Sequence, residues 1–388
     1  MKVLFVNYLD FEGTSGIHVF HLLNALEEQG VDCTVAVPNR PESVSCFGTP
    51  KFKAISYNQA IEELAPSGDL DLVHSWGPRE ITRRLSLSVA KKAGIPYVVH
   101  IEDNEENITA RFLGVEPQKM SWWHLLKLAQ NKRSINVSHP RRYKEFMANA
   151  LGITSTWHKL EEFSPPGKEF LAFWPSCEPE FFDISYTPYP ELRKQYHVSP
   201  EEMVICYAGN VHIVNREEIA TLYEAVPLAR AQGLPLKLVR SGIGDQLLPK
   251  ELTDMAEKGW VVNAGYLAGA EMVQFMQLTD VHVQPGKPGP YNDYRFPSKL
   301  PMYLASGRPV IMPDSNLAEF LTDKKHCIIM QKGDAAELVE HLMTLHESKE
   351  LRESLARNGR EFARQNFSWD KSATEVIAFY RRLLNRQR

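Results

Sequence analysis

Short apolar runs that alternate with helix-periodic segments, in two separate series, constrain this chain more than any other feature. The first series has runs at 3–6, 33–37, 70–74, 97–101 and 135–137. Between the first two, Phe20, Leu23 and Leu26 recur at helical spacing over 17–29 and Gly30 supplies a left-handed stop; a second helical stretch, 80–93, ends at Gly94. Strand and helix alternating at this spacing predict a parallel sheet with crossover helices. From about 161 to 200 the rhythm breaks on Ser164-Pro165-Pro166-Gly167, Pro175, Pro179, Pro188 and Pro190, which reads as a connection. The alternation then restarts with runs at 203–207, 236–240, 260–263, 281–284, 309–312 and 328–330, and 335–388 is helical by pattern.

The expected fold class is therefore α/β: two Rossmann-like, doubly wound parallel-sheet lobes facing a cleft, where both sets of strand C-terminal ends would meet a ligand. The boundaries are 1–170, 171–367, and a C-terminal helix over 368–388 expected to pack back toward the first domain. A length of 388 residues suits two domains. A formal charge of −4 removes the global basic footprint of a nucleic-acid binder, so no nucleic-acid partner is expected. Cys33, Cys46, Cys177, Cys206 and Cys327 form no CxxC pair and no metal spacing, so no metal site and a reducing compartment are expected. The apolar stretch after Met1 is too short for a signal segment, and the expected location is the cytoplasm.

Three glycine loops follow strands. Gly13-Thr14-Ser15-Gly16 precedes the first helix, where backbone N–H groups receive an anion or a sugar hydroxyl, or simply turn tightly. Ala208-Gly209-Asn210 leads to Asn215-Arg216 at the next helix start, where Arg216 opposes the helix dipole and is better explained by a phosphate. Ser241-Gly242-Ile243-Gly244-Asp245 is the third, a ligand contact or a plain turn. The densest candidate is 285–299, in which Pro297 is expected to open a helix and leave N–H groups near Ser298 and Lys299 unpaired. With Arg295 and Lys299 it reads as a diphosphate cradle, against the alternative of a solvated helix end.

Ala208-Gly209-Asn210, Gly242-Ile243-Gly244, Gly265-Tyr266-Leu267 and Phe296-Pro297-Ser298-Lys299-Leu300, followed by Tyr303-Leu304-Ala305-Ser306-Gly307-Arg308-Pro309-Val310, resemble the donor lobe of family-4 retaining glycosyltransferases of GT-B architecture. The likeness extends to Ser15-Gly16-Ile17 and Leu70-Asp71-Leu72-Val73-His74. It implies a nucleotide diphosphate sugar as co-substrate on the second lobe, a glycan, lipid-linked or small-molecule acceptor on the first, and no cofactor or metal. Residue by residue, it implies donor contacts at Gly16, Gly209, Asn210, Gly244, Tyr266, Leu267, Tyr294, Arg295, Phe296, Pro297, Ser298 and Met302, with Ser15 and Asp103 on the acceptor. The catalytic set it suggests is Glu102, Arg216 and Lys299. The sequence also departs from the family pattern: the Glu-x7-Glu pair falls at Tyr294 and Met302, Asn210 stands at a frequent phosphate-binding Arg, and Glu102 stands at a frequent active-site His. Asp293 restores the first Glu only through a one-residue bulge.

Glu102-Asp103-Asn104-Glu105-Glu106 has two readings: a carboxylate orienting or deprotonating an acceptor hydroxyl, or Asp103 or Asn104 capping a helix with acids in its first turn. From 117 to 144 there are seven Lys or Arg (Lys119, Lys127, Lys132, Arg133, Arg141, Arg142, Lys144), no Asp or Glu, and Trp122-Trp123. That segment suits peripheral membrane contact, or a solvated basic helix face. The resulting expectation is a sugar transferase acting with retention, in which cations and N–H groups stabilise the departing diphosphate and lobe closure excludes water. A non-catalytic relative that binds a sugar nucleotide or a partner enzyme is the alternative, and a sugar-nucleotide epimerase is a third reading.

Overall fold

The computed structural model describes residues 1–11, 14–130, 135–184, 190–213, 215–267 and 269–386. The chain divides into two compact units. One comprises Met1–Pro175, Tyr294–Phe296 and Ser368–Arg388; the other comprises Ser176–Asp293 and Pro297–Phe367.

The first unit holds a seven-stranded sheet: β1 (Lys2–Asn7), β2 (Asp32–Val37), β3 (Lys53–Ser56), β4 (Leu72–Trp76), β5 (Tyr97–Ile101), β6 (Gly152–Ser155) and β7 (Phe170–Ala172). The order is β3-β2-β1-β4-β5-β6-β7 and every pairing is parallel. Its helices include α1 (Thr14–Glu28), α2 (Glu80–Ala93), α3 (Glu105–Leu113) and α4 (Trp122–Gln130). β1, β4 and β5 are almost wholly buried, as strands covered on both faces must be, and so read as continuous apolar runs. The strand expected at 135–137 is instead a 3-10 turn. Its Val137 carbonyl accepts from Glu80 N, which fixes the start of α2.

The second unit holds six parallel strands: β8 (Met203–Ala208), β9 (Leu236–Ser241), β10 (Val261–Asn263), β11 (Val281–Val283), β12 (Val310–Pro313) and β13 (Ile328–Met330), in the order β10-β9-β8-β11-β12-β13. α5 (Arg216–Ala231) follows β8, the short α6 (Leu300–Ala305) lies between β11 and β12, and α7 (Ala335–Glu347) and α8 (Lys349–Asn366) close the unit. α9 (Trp369–Asn385) then joins the first unit, burying Val376, Phe379, Tyr380 and Leu383 in its core. Gly152 in β6 permits this approach: a Cβ there would stand 2.7 Å from the Phe379 ring.

In each sheet the strand order reverses once, between β1 and β4 and between β8 and β11. Open parallel sheets bind ligands at the strand C-termini beside that reversal. The loops following β1, β4, β5, β8, β9 and β11 are therefore the places to look for chemistry.

Candidate functional site

In the first unit, the chain leaving β5 carries Glu102 against the first turns of α1. Ser15 Oγ donates to Glu102 Oε2 at 2.5 Å, and Tyr8 OH lies 3.0 Å from Ser15 Oγ. Ser15 spends its one proton on the carboxylate, so Tyr8 is the donor to Ser15. The Arg79 guanidinium lies over the Tyr8 ring at 3.8 Å, and His18 Nδ1 stands 3.5 Å from Glu102 Oε1. Burial alone would raise the Glu102 carboxyl, but His18, His100 and the Ser15 hydroxyl outweigh it and hold the group at about 2. Asp103 goes the other way. Burial lifts it, the Arg295 charge opposes, Glu102 and Glu105 add to the lift, and it reaches about 7.

Both readings of the acidic cluster find residues here. Asn104 is the cap of α3, its side chain accepting from the N–H of Glu106 and Asn107 at 3.1 Å, and Glu105 is buried with Ser138 Oγ donating to it at 2.6 Å. Glu102 and Asp103 take no part in that cap. Gly16 is packed against Phe11 and Phe47, so it serves the close approach of α1 to that loop. Gly13 lies outside the described residues.

The opposite shifts predict opposite pH effects on stability. A folded Glu102 below its unfolded value contributes stability that is present above about pH 4.5 and lost as pH falls toward 2. A folded Asp103 above its unfolded value contributes stability that is present below about pH 4 and lost as pH rises through 7. In denaturant titrations across pH 4–8, Asp103→Asn is expected to flatten the alkaline decline of the first unit, while Glu102→Gln, which removes one of the smaller contributions to the lift and leaves the burial, lessens it without abolishing it. A decline unchanged in Asp103→Asn would refute the assignment.

In the second unit, three strand ends are tied together by backbone and by one buried cation. Gly209 N donates to Ser241 O, Val211 N to Ile243 O and Gly242 N to Gly265 O, while Asn210 Oδ1 accepts from Ile243 N at 2.9 Å. Arg240, wholly buried in β9, donates to the carbonyls of Gly209 (2.9 Å), Ser241 and Gly242 (both 3.3 Å) and pairs with Asp245. A Cβ on Gly242, whose φ is +108°, would fall 2.5 Å from the Gly209 carbonyl, so only glycine lets these loops close on each other. Tyr303 OH accepts from Ala208 N at 3.1 Å, and its ring stacks on His282 at 4.4 Å, so the motif on α6 props the end of β8.

Lys299 reaches the same loops. Its Nζ lies 5.3 Å from the Tyr207 ring centroid, and its Cε lies 2.6 Å from where a Gly209 Cβ would be. Arg216 is the first residue of α5 and exposed; its backbone N–H donates to His212 O, and its side chain has no hydrogen-bond or ion-pair partner among the described residues. Ile243 and Tyr266 are 63% and 69% exposed at the ends of β9 and β10, an apolar pair free to stack on a flat ligand ring; Leu267 follows, half-buried. Glu218 in the first turn of α5, absent from the sequence reading, accepts from Asn292 Nδ2 at 2.8 Å and anchors the loop after β11.

The 285–299 segment departs from expectation in two ways. Helix α6 begins at Leu300 with Pro301 in its first turn, and Pro297 opens only a turn whose carbonyl accepts from Leu300 N. Leu300 N is engaged and Pro301 has no N–H to offer, so α6 itself adds no free donor in its first two positions to those expected at Ser298 and Lys299. Second, Tyr294, Arg295 and Phe296 group with the first unit: Tyr294 OH donates to Glu162 at 2.7 Å, and Phe296 lies 6.2 Å from Trp157 and 6.3 Å from Trp174. Arg295 thus acts on Asp103, while Lys299 belongs to the other unit. Met302 is half-buried on α6.

His18, Tyr207 and Arg240 were not singled out by sequence reasoning. A lone Arg near the end of an apolar run is the one available signal, in Arg240; the other two become functional candidates only through contacts distant in sequence.

The architecture is shared by several solved structures. HepE of Anabaena, solved with UDP-glucose, superposes with a TM-score of 0.68 at 14% identity over 97% of this chain and 99% of its own. Sucrose-phosphate synthase of Thermosynechococcus elongatus does so at 0.69 and 14% over 99% of each. A glycosyltransferase of Rickettsia africae reaches 0.69 at 11%, over 99% of this chain and 98% of that one. The fold is thus that of the GT-B glycosyltransferases, two parallel-sheet Rossmann-like domains. Within it, residues 202–348, the span holding the tied loops and Lys299, match the family described as Glycosyl transferases group 1. No curated protein matches the chain by sequence.

Proposed function

We propose that the chain is a retaining, metal-independent glycosyltransferase of family-4 type that moves a hexose from a nucleotide diphosphate sugar to an acceptor in glycan biosynthesis. The observation that carries this reading is the Arg240-tied loop pair at the ends of β8 and β9 with the Lys299 ammonium beside it, inside the family-matched span. As the glycosidic bond breaks, negative charge grows on the departing diphosphate, and a cation held in place by its surroundings stabilises that charge without reorganising. Lys299 and Arg216 are assigned that role. Gly209, Asn210 and Gly244 form the donor floor, Tyr266 and Leu267 the base edge, and Pro297, Ser298 and Met302 the adjoining turn and helix. On the first unit, Glu102 with Ser15 orients an acceptor hydroxyl, and Asp103 near neutrality is suited to exchange its proton.

Melting the protein with UDP-, GDP- and ADP-sugars tests the donor assignment, since a ligand that binds only the folded state raises its midpoint. At least one is expected to do so. No shift with any of them in well-folded protein would sink it. One observation favours a second reading, a non-catalytic relative: neither Tyr294 nor Met302 is a carboxylate, and the Tyr294 hydroxyl is already engaged by Glu162. Release of free nucleotide from a bound donor, with or without added acceptor, separates the two, because a pure binding module releases none.

We further assign the protein a cytoplasmic location with peripheral contact at an anionic membrane face. Among the described residues no helix is long and apolar enough to cross a membrane. Lys132 and Arg133 lie outside the described residues. Lys119, Arg142 and Lys144 are paired with Glu116, Glu80 and Glu106, so the stronger support is apolar: Trp122 and Trp123 stack at 3.6 Å and are 56% and 61% exposed on α4. Exposed tryptophans seat at the headgroup level. In flotation with vesicles containing anionic lipid, the wild type is expected to rise with the vesicles and the Trp122→Ser/Trp123→Ser variant to lose most of that binding. Equal flotation of the two would refute the contact.

A further inference from the structure

Behind Glu102 runs a buried hydrogen-bond chain that no role so far explains. Tyr380 OH on α9 lies 2.5 Å from His74 Nδ1 on β4; His74 Nε2 lies 2.9 Å from Thr154 Oγ1 on β6; and Thr154 Oγ1 lies 2.9 Å from His100 Nδ1 on β5. His74, His100, Thr154 and Tyr380 are all fully buried. The chain ends at His100 Nε2, which is buried and has no hydrogen-bond partner among the described residues.

Thr154 has one proton, so it donates to one imidazole and accepts from the other. The chain must therefore run in a single direction. If Tyr380 donates, His74 accepts at Nδ1 and donates from Nε2, Thr154 donates to His100 Nδ1, and the His100 proton sits on Nε2. In the reverse direction Tyr380 only accepts, and its own proton has no acceptor among the described contacts. Each direction leaves one buried donor without a hydrogen-bond partner, the Tyr380 hydroxyl in reverse and His100 Nε2–H forward; the forward direction is selected because its donor sits in the field of the Glu102 carboxylate, which favours a proton on the imidazole. Stacking of His100 on Trp76 at 3.8 Å fixes the plane of the ring.

We propose that His100 is a positioning residue for the Glu102 carboxylate, locked by this one-way chain from Tyr380 as the neutral tautomer that carries its proton on Nε2. His100 and Glu102 are two residues apart along β5 and its exit, so they share a side of the sheet. An N–H dipole behind the acid favours its ionised form, alongside Ser15 and His18 from α1; Tyr8, Arg79, Asp103 and Glu105 are the other titratable groups acting on it. Burial pushes the His100 imidazole down to about 3, consistent with a ring that stays neutral. The arrangement makes docking of α9 part of the acid's environment. Its functional meaning rests on the acceptor role proposed for Glu102; its geometry does not.

Selective 15N-histidine and 13C-glutamate NMR on the full chain tests it without any substrate. In the wild type, His100 should show a protonated Nε2 and a bare Nδ1, unchanged from pH 5 to 8, and the Glu102 carboxyl carbon, assigned by its loss in Glu102→Gln, should stay ionised at pH 4. Thr154→Val should mix the His100 tautomers and bring Glu102 into titration near pH 4, whereas Thr154→Ser, which keeps the hydroxyl, should restore both signals. Tyr380→Phe should move His100 as well as its neighbour His74. A proton on His100 Nδ1, or a Thr154→Val protein whose Glu102 and His100 signals match the wild type, overturns the proposal. Failure of the transferase reading appears elsewhere, in the melting experiments with nucleotide sugars.

Discussion

Lys299→Ala is expected to lower sugar transfer by about 10²–10³-fold, the loss typical of removing one preorganised group that stabilises charge in a transition state. The Lys299 stem is pinned where only glycine fits at 209, and its ammonium lies beside the Tyr207 ring. That pinning separates it from an ordinary surface lysine, whose charge wanders in water and contributes little. Lys299 is only half-buried, so its removal should cost the fold no more than about 1 kcal/mol, roughly the worth of an exposed cation–π contact. Catalysis and stability should therefore part company: rates collapse while the melting midpoint barely moves. Lys299→Arg is not expected to rescue, because a planar guanidinium does not occupy the space of a compact ammonium. Initial rates over donor concentration decide the matter. A kcat/KM within about twofold of wild type would remove Lys299 from the machinery, since a preorganised charge is worth far more than that.

The second sheet was legible in the sequence because strands such as β8 and β12 are apolar runs ending at a glycine or polar turn, as strands covered on both faces must be, and β9, though it carries Lys237 and Arg240, ends at a glycine loop. The first sheet was less so. Lys53–Ser56, Gly152–Ser155 and Phe170–Ala172 lie toward its edges and are only three or four residues long; the first two hold few apolar side chains, and the third lies inside the proline-rich stretch read as a connection. Gly152 gains its meaning only from the Phe379 ring that packs against it from a distant part of the chain. The run at 135–137 misled in the opposite sense: Val137 is buried, but in a turn that caps α2 rather than in the sheet. The glycine loops of the site were visible from their place after strands. The grouping of Tyr294, Arg295 and Phe296 with the first unit was not, because nothing local separates them from Pro297 and Ser298.

Arg240→Met is expected to cost roughly 3–5 kcal/mol, the penalty of removing one partner of a buried ion pair whose two terminal nitrogens are both engaged. Arg240 is a charged side chain with no exposure, and it supplies donors to three carbonyls, of which Ser241 O has a second donor in Gly209 N. In the variant, the carbonyls of Gly209, Ser241 and Gly242 lose those partners, and Asp245 keeps a charge without its cation. For a unit of this size the second unit's melting midpoint should fall by about 6–20 °C. The effect on ligand binding should be larger than stability alone implies. The two glycine loops are held at one separation by the fork of a single guanidinium, and a donor floor that is free to splay loses its geometry before the unit unfolds. Nucleotide-sugar binding measured well below the midpoint should therefore already be weakened by tenfold or more, about 1.4 kcal/mol. Arg240→Lys should recover part of the stability through Asp245 but not the binding, since one ammonium cannot span three carbonyls on two loops. Asp245→Asn, which leaves the guanidinium and its three carbonyls in place, should be the mildest of the three, because Asp245 is 30% exposed and water can take its share. If Arg240→Met melts within about 2 °C of wild type and still binds the nucleotide sugar, the loops are held by their backbone hydrogen bonds alone and Arg240 is incidental.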